Sequence, residues 1–271
     1  MIKKLFKWLG AIFAVIIILI LLDIGVLSNP GLFFPEEKHY ESITVYSEKP
    51  IGQETDSIMS EVLLRINAVP FYDLDRKYNL CFCSTQKKFS FFSRLTTRAS
   101  RIMGFSLLGS SYVNEDFINE MGLKTRGQPK YLTREGSVVH VATHELMHGY
   151  IADTYGYFAS RALPEWKTEG YCEYGVNQFV APRDSGYSIS ERIDIYLDDS
   201  RWNPTAEIHR PHYVWGLMIE FLINVRELNF EQVMANNVSY EKTYQEMMDW
   251  RKSLGITIDN QRRTPNKGYM Q

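Results

Sequence analysis

The residues best suited to chemistry are His144, Glu145 and His148, which have the spacing HExxH within the segment VVHVATHELMHGY. On a helix, side chains four positions apart lie on the same face, so both imidazoles can reach one metal ion. Two neutral imidazoles suit Zn²⁺, and the adjacent carboxylate can take a proton from a water molecule on the metal. The uncharged residues around the motif are typical of a helix packed in a core. The sequence therefore predicts a metal helix, and the alternative is a core helix whose histidines are hydrogen-bonded within the protein.

A catalytic zinc site needs a third protein ligand and leaves one position for water, whereas structural zinc has four protein ligands. His140, one turn before the motif, is therefore expected to be a core residue or to support a ligand. The metzincin spacing HExxHxxGxxH fails, since Ile151 and Thr154 occupy the two later positions. Proline followed by an acidic residue predicts a second helix from about Pro164 to Phe179. That helix carries three glutamates that could complete a His₂Glu set: Glu165, Glu169 and Glu173.

Two short motifs, HELMH at 144–148 and WKTEG at 166–170, resemble the gluzincin metallopeptidases, the thermolysin-like and aminopeptidase N-like group with a peptidase MA-like fold. In the aminopeptidase N-like branch the glutamate of WxxEG is the third zinc ligand, and the resemblance implies this role for Glu169. It implies that Glu173, one turn later, orients His144, as an acidic residue does in thermolysin-like enzymes. The alternative for Glu173 is a solvated helix face. Residues 109–115 match the GxMEN loop poorly, so the resemblance does not extend to aminopeptidase specificity.

The resemblance also implies a tyrosine or histidine, downstream of the third ligand, that stabilises the oxyanion of the tetrahedral intermediate. His209, His212 and Tyr213 precede an apolar segment, Val214 to Val225, that is predicted to be a core helix. We expect Tyr213 to have this role, with His212 as the second choice. For both residues the alternative is a helix-capping or core contact.

The first residues predict a membrane anchor. Three lysines among the first seven residues precede an apolar run from Leu9 to Leu22, which is interrupted by Asp23 and resumes through Leu27. The run is long enough to cross a bilayer, and no small-x-small cleavage pattern follows it, which favours an uncleaved anchor over a signal peptide. The lysines predict that the N-terminus is cytoplasmic, with residues 1–27 as the anchor and residues 28–271 outside the cytoplasm.

Composition limits the other classes of function. The 271 residues are 45% hydrophobic and 14% aromatic, enough for a packed core. The net charge is −2 and no basic stripe is present, so nucleic acid is not an expected partner. With only Cys81, Cys83 and Cys172, neither a disulfide framework nor a cysteine-based zinc site is expected. Cys81 and Cys83 lie two apart in a predicted strand and are expected to be half-buried.

A short strand is predicted at Ser110 to Val113, after a loop at Gly104 to Gly109. In metallopeptidases such a strand often edges the active-site cleft and pairs with an extended substrate, although an ordinary strand is an equal alternative. The fold is expected to be α+β and zincin-like, with a small mixed sheet and the metal helix followed by a helical subdomain. The metal site is expected in the cleft between them.

These expectations combine into a membrane-anchored zinc metallopeptidase that acts on a peptide or protein. His144, His148 and Glu169 are expected to hold one Zn²⁺ per chain, and Glu145 is expected to act as general base. The expected partners are the substrate and, through the N-terminal helix, a lipid bilayer. Two alternatives remain open: an inert zincin-fold protein that binds partners at the cell surface, and a zinc hydrolase of a non-peptide amide. The oligomeric state is not predicted.

Overall fold

A computed structural model of the chain describes residues 2–94, 102–120, 137–180, 187–198 and 210–255. These residues confirm a mixed α+β fold with one five-stranded sheet and one apolar N-terminal helix. A 3₁₀ turn at Pro30–Leu32 follows the first helix, and a π-helical turn at Phe221–Val225 extends the ninth. In chain order the elements are α1 (Ile2–Ser28), β1 (Glu36–Tyr40), β2 (Ile43–Ser47), α2 (Gln53–Asn67), β3 (Tyr78–Cys83), α3 (Gln86–Ser93), β4 (Gly104–Leu107), β5 (Ser110–Asn114), α4 (Glu115–Glu120), α5 (Val138–Tyr155), α6 (Tyr157–Ser160), α7 (Glu165–Val180), α8 (Ile189–Leu197), α9 (Arg210–Glu220), α10 (Phe230–Met234) and α11 (Tyr240–Ser253).

The strand order in the sheet is β1-β2-β3-β5-β4. The inner pairs, β2 with β3 and β3 with β5, are parallel, whereas β1 and β4 run antiparallel to their neighbours at the two edges. Ser106 of β4 lies opposite Ser111 of β5. All five residues of β5 are buried. Of the two alternatives for β5, the structure therefore favours the ordinary strand, because β4 separates it from the edge of the sheet.

The edge strand β4 occupies a segment for which the sequence predicts a loop. Phe105 and Leu107 alternate with less buried neighbours, as in a half-buried strand. Leu108 and Gly109 have φ of 52° and 75°, the pair of positive values that a tight two-residue hairpin turn requires. Leucine rarely adopts this conformation, so the turn gives little signal in the sequence.

The main core lies between one face of the sheet and the helices α2, α5, α7, α9 and α11. Ser137 is the N-cap of helix α5, because its side chain accepts a hydrogen bond from the backbone N–H of His140. Most of α5 is buried on all sides, since it packs against the sheet, α2 and α7. Buried side chains of this core include Val113, Leu146, Met147, Tyr171 and Met218.

A second cluster covers the opposite face of the sheet. It contains the buried side chains of Leu27, Phe34, Cys81, Cys83, Phe89, Phe92, Phe105, Leu107 and Tyr112. Because β3 is central and both of its faces are covered, Cys81 and Cys83 are fully buried, and the expectation of half-burial was wrong. Leu27 belongs to this cluster, and Tyr112 donates a hydrogen bond to the Leu27 carbonyl oxygen at 3.0 Å. The end of α1 is thus packed against the sheet.

The rest of α1 is exposed and apolar. Its segment Trp8–Ser28 is long and apolar enough to cross a membrane, judged by length and composition. None of its most apolar window is buried against the described part of the protein.

Candidate metal centre

The two histidines of HExxH lie on one face of α5, with ring centroids 4.9 Å apart. The carboxylate of Glu169, on α7, reaches both of them. One oxygen lies 3.1 Å from Nε2 of His144, and the other lies 3.4 Å from Nε2 of His148. The structure therefore brings together the three side chains that the sequence predicts as metal ligands.

Glu173, one turn after Glu169, lies behind His144. Its Oε1 atom is 3.1 Å from Nδ1 of His144 and 3.5 Å from Nε2 of His140. A carboxylate on Nδ1 leaves Nε2 directed towards Glu169 and sets the orientation of the ring. Glu173 is 3% exposed, so the alternative of a solvated helix face is wrong for this residue. His140 contacts the same carboxylate.

The charges of these groups depend on each other in the metal-free protein. Burial opposes ionisation of Glu169, but the charges and hydrogen bonds of His148 and His144 outweigh it and hold the Glu169 pKa well below its usual range. For Glu173, contacts with His140 and His144 likewise outweigh burial and lower the carboxyl pKa. Burial disfavours the charged form of His144, yet hydrogen bonds to Glu169 and Glu173 raise its pKa well above the usual value. Positive charge is thus favoured at the point where the imidazoles and carboxylates meet.

Glu145 is buried beside this point, and two serines of the sheet hold it in place. Ser106 on β4 donates hydrogen bonds to the Glu145 carbonyl and, at 3.3 Å, to its carboxylate. Ser111 on β5 donates to the same carbonyl at 3.0 Å. Burial raises the pKa of the Glu145 carboxyl, which makes it a better proton acceptor than an exposed glutamate.

The cleft in front of these residues has a volume of about 540 Å³. The edge strand β4 forms one wall through Gly104, Phe105 and Ser106, while α5, α6 and α7 form the others. His144, Glu145, His148 and Glu169 all face it. A groove of this size, with polar groups at its base and an edge strand along its side, can accommodate an extended chain.

The two residues that the sequence proposes for stabilising the oxyanion have different surroundings in the structure. His212 lines the cleft. Tyr213 is not among the described residues that line it, and its hydroxyl donates to the Arg192 carbonyl oxygen at 3.4 Å. Helix α9 begins at Arg210 rather than near Val214, so Tyr213 lies within the helix and is turned towards α8. His209 lies outside the described residues.

Cys172 was not anticipated as part of this centre. It lies on α7 between the two glutamates, and its Sγ atom lies within 4.8 Å of ligand nitrogens of His144 and His148. The signal in the sequence is its position three residues after Glu169, on the same helix face. The low cysteine count argues against a zinc site built mainly from cysteines, but it does not exclude a single thiol beside two histidines. Burial raises the pKa of Cys172 well above its usual value, so this residue is a neutral thiol in the metal-free protein.

The side chains fit a zinc ion. Two imidazole nitrogens and a carboxylate that approach each other within 3.1–3.4 Å are the His₂Glu donors typical of catalytic zinc, with the buried Glu145 carboxylate beside them. Comparisons of the chain with protein-family models and with curated proteins find no match. The proposal of a metal centre therefore rests on the arrangement of His144, His148, Glu169 and Glu173.

Proposed function

We propose that the protein is a membrane-anchored zinc peptidase of the gluzincin type, with a zincin-like fold. The observation that carries this proposal is the position of the Glu169 carboxylate, whose two oxygens face Nε2 of His144 and His148. Helix α1 supports the membrane anchor. The lysines before its apolar segment support a cytoplasmic N-terminus and a cleft on the other side of the membrane.

In this proposal His144, His148 and Glu169 hold one Zn²⁺. A bound zinc ion supplies positive charge that acidifies a water molecule and polarises the scissile carbonyl. Glu173 keeps the ring of His144 in the orientation that presents Nε2 to the site.

Glu145 is the general base. Its carboxylate accepts a proton from the attacking water and then delivers it to the leaving nitrogen. Ser106 and Ser111 keep the Glu145 backbone against the sheet, and Ser106 also donates to its carboxylate. His212, which lines the cleft, is better placed than Tyr213 to donate a hydrogen bond to the oxyanion.

The edge strand supports a peptide as the substrate rather than a smaller amide. Within the described residues, β4 pairs with β5 on one side only, and it lines the cleft. Backbone groups on the other side of an edge strand can pair with an extended peptide. A peptide paired in this way would lie alongside Glu145.

The first test is the metal content of the purified full chain, measured for wild type, Glu169→Ala and Glu165→Ala. Glu165 is exposed, lies on the same helix and makes a matched control. We expect about one zinc per chain in wild type and in Glu165→Ala, and weakened binding in Glu169→Ala. Equal zinc content in all three proteins would reject Glu169 as a ligand, and absence of zinc from wild type after loading would reject the metal centre.

The second test separates an enzyme from a binding protein. Glu145→Gln should keep zinc and abolish hydrolysis of a peptide library, because the amide cannot accept the proton. Hydrolysis that persists in this variant would overturn the assignment of the base. A wild-type protein that holds zinc and cleaves no peptide would favour the inert binding protein or the hydrolase of a non-peptide amide.

A further inference from the structure

Three large apolar side chains near the second cluster are exposed. Leu32 is 79% exposed, Phe91 is 40% exposed and Phe158 is 85% exposed. A single exposed apolar residue needs no explanation, but several large ones around one cluster indicate an interaction surface. We name these three residues the apolar rim.

Each rim residue lies next to a side chain that belongs to the second cluster or packs against it. Leu32 is followed by Phe33, whose ring centroid lies 5.6 Å from that of Phe91. Phe158 follows Tyr157, which packs against the second cluster, as Phe33 does. The three rim residues therefore all adjoin the second cluster.

Exposed arginines accompany the rim. The guanidinium carbon of Arg94 lies 4.3 Å from the ring centroid of Phe91, and that of Arg161 lies 5.3 Å from the ring centroid of Tyr157. Aromatic rings beside arginines match the boundary between acyl chains and anionic headgroups, where the ring lies deeper than the charge.

The same cluster holds the end of α1. Leu27 is only 2% exposed and Tyr112 donates to its carbonyl oxygen, so the helix joins the domain at a fixed point. Leu32 lies four residues beyond Ser28, the last residue of the helix. If α1 spans a bilayer, the rim lies where the helix leaves the acyl region, which identifies the bilayer as the occupant of this surface.

We propose that the apolar rim, with Arg94 and Arg161, rests on the surface of the bilayer that α1 spans, and that the cleft takes the juxtamembrane segment of a membrane-attached polypeptide. The inference about substrate rests on the proposed peptidase activity. Helix α6 connects the two sites: Phe158 belongs to the rim, while Tyr157, Ser160 and Arg161 line the cleft. An opening this close to the bilayer favours chains held at its surface over chains diffusing in bulk solution.

A spin label attached at Phe158→Cys in the full chain tests the position of the rim directly. The chain is placed in vesicles of phosphatidylcholine with phosphatidylglycerol, and collision rates with oxygen and with a water-soluble nickel chelate are compared. The native cysteines are buried, so the unsubstituted chain measures background labelling. We expect oxygen collisions to dominate at position 158 and nickel collisions to dominate at Lys242→Cys, an exposed residue on α11.

A third label at Ile17→Cys, within α1, separates the possible failures. If the label at position 17 lies in the bilayer and the label at position 158 lies in water, the membrane anchor is supported and the contact of the rim with the bilayer is overturned. A protein partner would then be the better explanation of the exposed rim. Water around both labels would overturn the membrane anchor and the seating together. Weaker seating in vesicles of phosphatidylcholine alone is expected, because Arg94 and Arg161 lose their anionic partners.

The substrate class is tested with one peptide in two forms, free and attached to vesicles through a lipid. Phe158 is not among the described residues that line the cleft, so Phe158→Asp should leave hydrolysis of the free peptide unchanged. It should lower hydrolysis of the attached peptide about tenfold, the loss expected when one phenyl ring no longer enters the interface. Phe158→Leu is the matched control and should retain both rates. Equal rates for the attached peptide in all three proteins would overturn the substrate class, whereas hydrolysis of neither form by wild type would instead reject the peptidase activity.

Discussion

At the scale of single residues, the most informative side chain is Glu173, because its carboxylate contacts both His140 and His144 from a buried position. A carboxylate hydrogen-bonded to one ring nitrogen of a metal-binding histidine fixes the orientation of the ring. It also makes the other ring nitrogen a stronger donor to the metal ion. A third histidine, His140, lies one turn before HExxH and contacts this carboxylate as well. Neither His140 nor Glu173 is among the described residues that line the cleft.

We therefore expect Glu173→Gln to weaken zinc binding by about 10–100-fold, the range typical for the loss of such a supporting contact. The amide can still form one hydrogen bond to Nδ1 of His144 but brings no negative charge. Competition with a chelator of known affinity measures the change, and Glu165→Gln on the same helix is the control. Equal affinity in Glu173→Gln and wild type would show that Glu173 has no influence on the metal.

The same variant gives a pH-dependent prediction for the metal-free protein. The pKa of Glu173 is lowered by His140 and His144, so its contribution to stability is fully present above about pH 4.5, the pKa of an ordinary glutamate, and is lost as the pH falls through the lowered value. The pKa of His144 is raised by Glu169 and Glu173, so its contribution is fully present below about pH 6.5 and is lost as the pH rises through the raised value. Both contributions are complete between these two values.

In that window we expect Glu173→Gln to lower the free energy of unfolding of the chelator-treated protein by about 2 kcal/mol. The difference from wild type should shrink towards more acid and more alkaline pH. Urea unfolding in detergent solution across this range measures it. A difference that is constant with pH would mean that Glu173 acts through shape and hydrogen bonding alone, without the charge pair.

At the scale of elements, the glycine of WKTEG has a packing role that the motif does not reveal. A Cβ atom on Gly170 would lie 2.7 Å from the backbone oxygen of Trp215 and 2.9 Å from Cγ1 of Ile219. Helices α7 and α9 therefore approach closely at the residue next to Glu169. The glycine allows α9 to bring His212 to the same cleft that Glu169 faces.

Gly170→Ala should accordingly destabilise the protein by about 1–3 kcal/mol, because the backbone of α9 must move. Gly149→Ala on α5 is the control, since the nearest atom that a Cβ would meet there is a ring carbon of Tyr78 at 3.6 Å, an ordinary contact. Alanine otherwise favours a helix interior by up to about 1 kcal/mol over glycine, so the control should be close to neutral. Thermal unfolding of both variants gives the comparison. Similar losses at the two positions would argue that an added methyl group in any buried helix, rather than contact with α9, sets the cost.

Elements with a strong local pattern were predictable, whereas those set by tertiary contacts were not. The second helix is predicted from Pro164 and observed from Glu165, because proline marks a helix start locally. The strand β4 was missed, since its hairpin turn places a leucine at positive φ. Which of His212 and Tyr213 faces the cleft depends on where α9 begins, because a helix rotates side chains by about 100° per residue. The sequence predicts that start near Val214, whereas the helix begins at Arg210 and His212 lines the cleft.

At the largest scale, the apolar helix α1 and the sheet are less separate than the sequence predicts. Hydropathy predicts an anchor that ends at residue 27 and a domain that begins at residue 28, because it follows the chain locally. Tyr112, 85 residues later, bonds to the carbonyl of Leu27, and no pattern in the sequence indicates this contact. The second cluster therefore uses the last turn of α1 as part of its own core.

This junction predicts where a soluble form of the domain must begin. A chain that starts at Ile24 keeps Leu27 in the second cluster and the Tyr112 bond, whereas a chain that starts at Asn29 loses both. Removal of one fully buried leucine costs about 1.5–3 kcal/mol, and loss of the hydrogen bond adds to this. We expect the longer chain to be more stable by about 3 kcal/mol in urea unfolding. Leu27→Ala in the longer chain removes the side chain alone. It should lower the free energy of unfolding by most of the difference between the two chains. If the two chains unfold at the same urea concentration, the end of α1 adds no stability to the domain and is only a tether. The argument that places the apolar rim at the bilayer would then fail, because it depends on the packing of Leu27 against the second cluster.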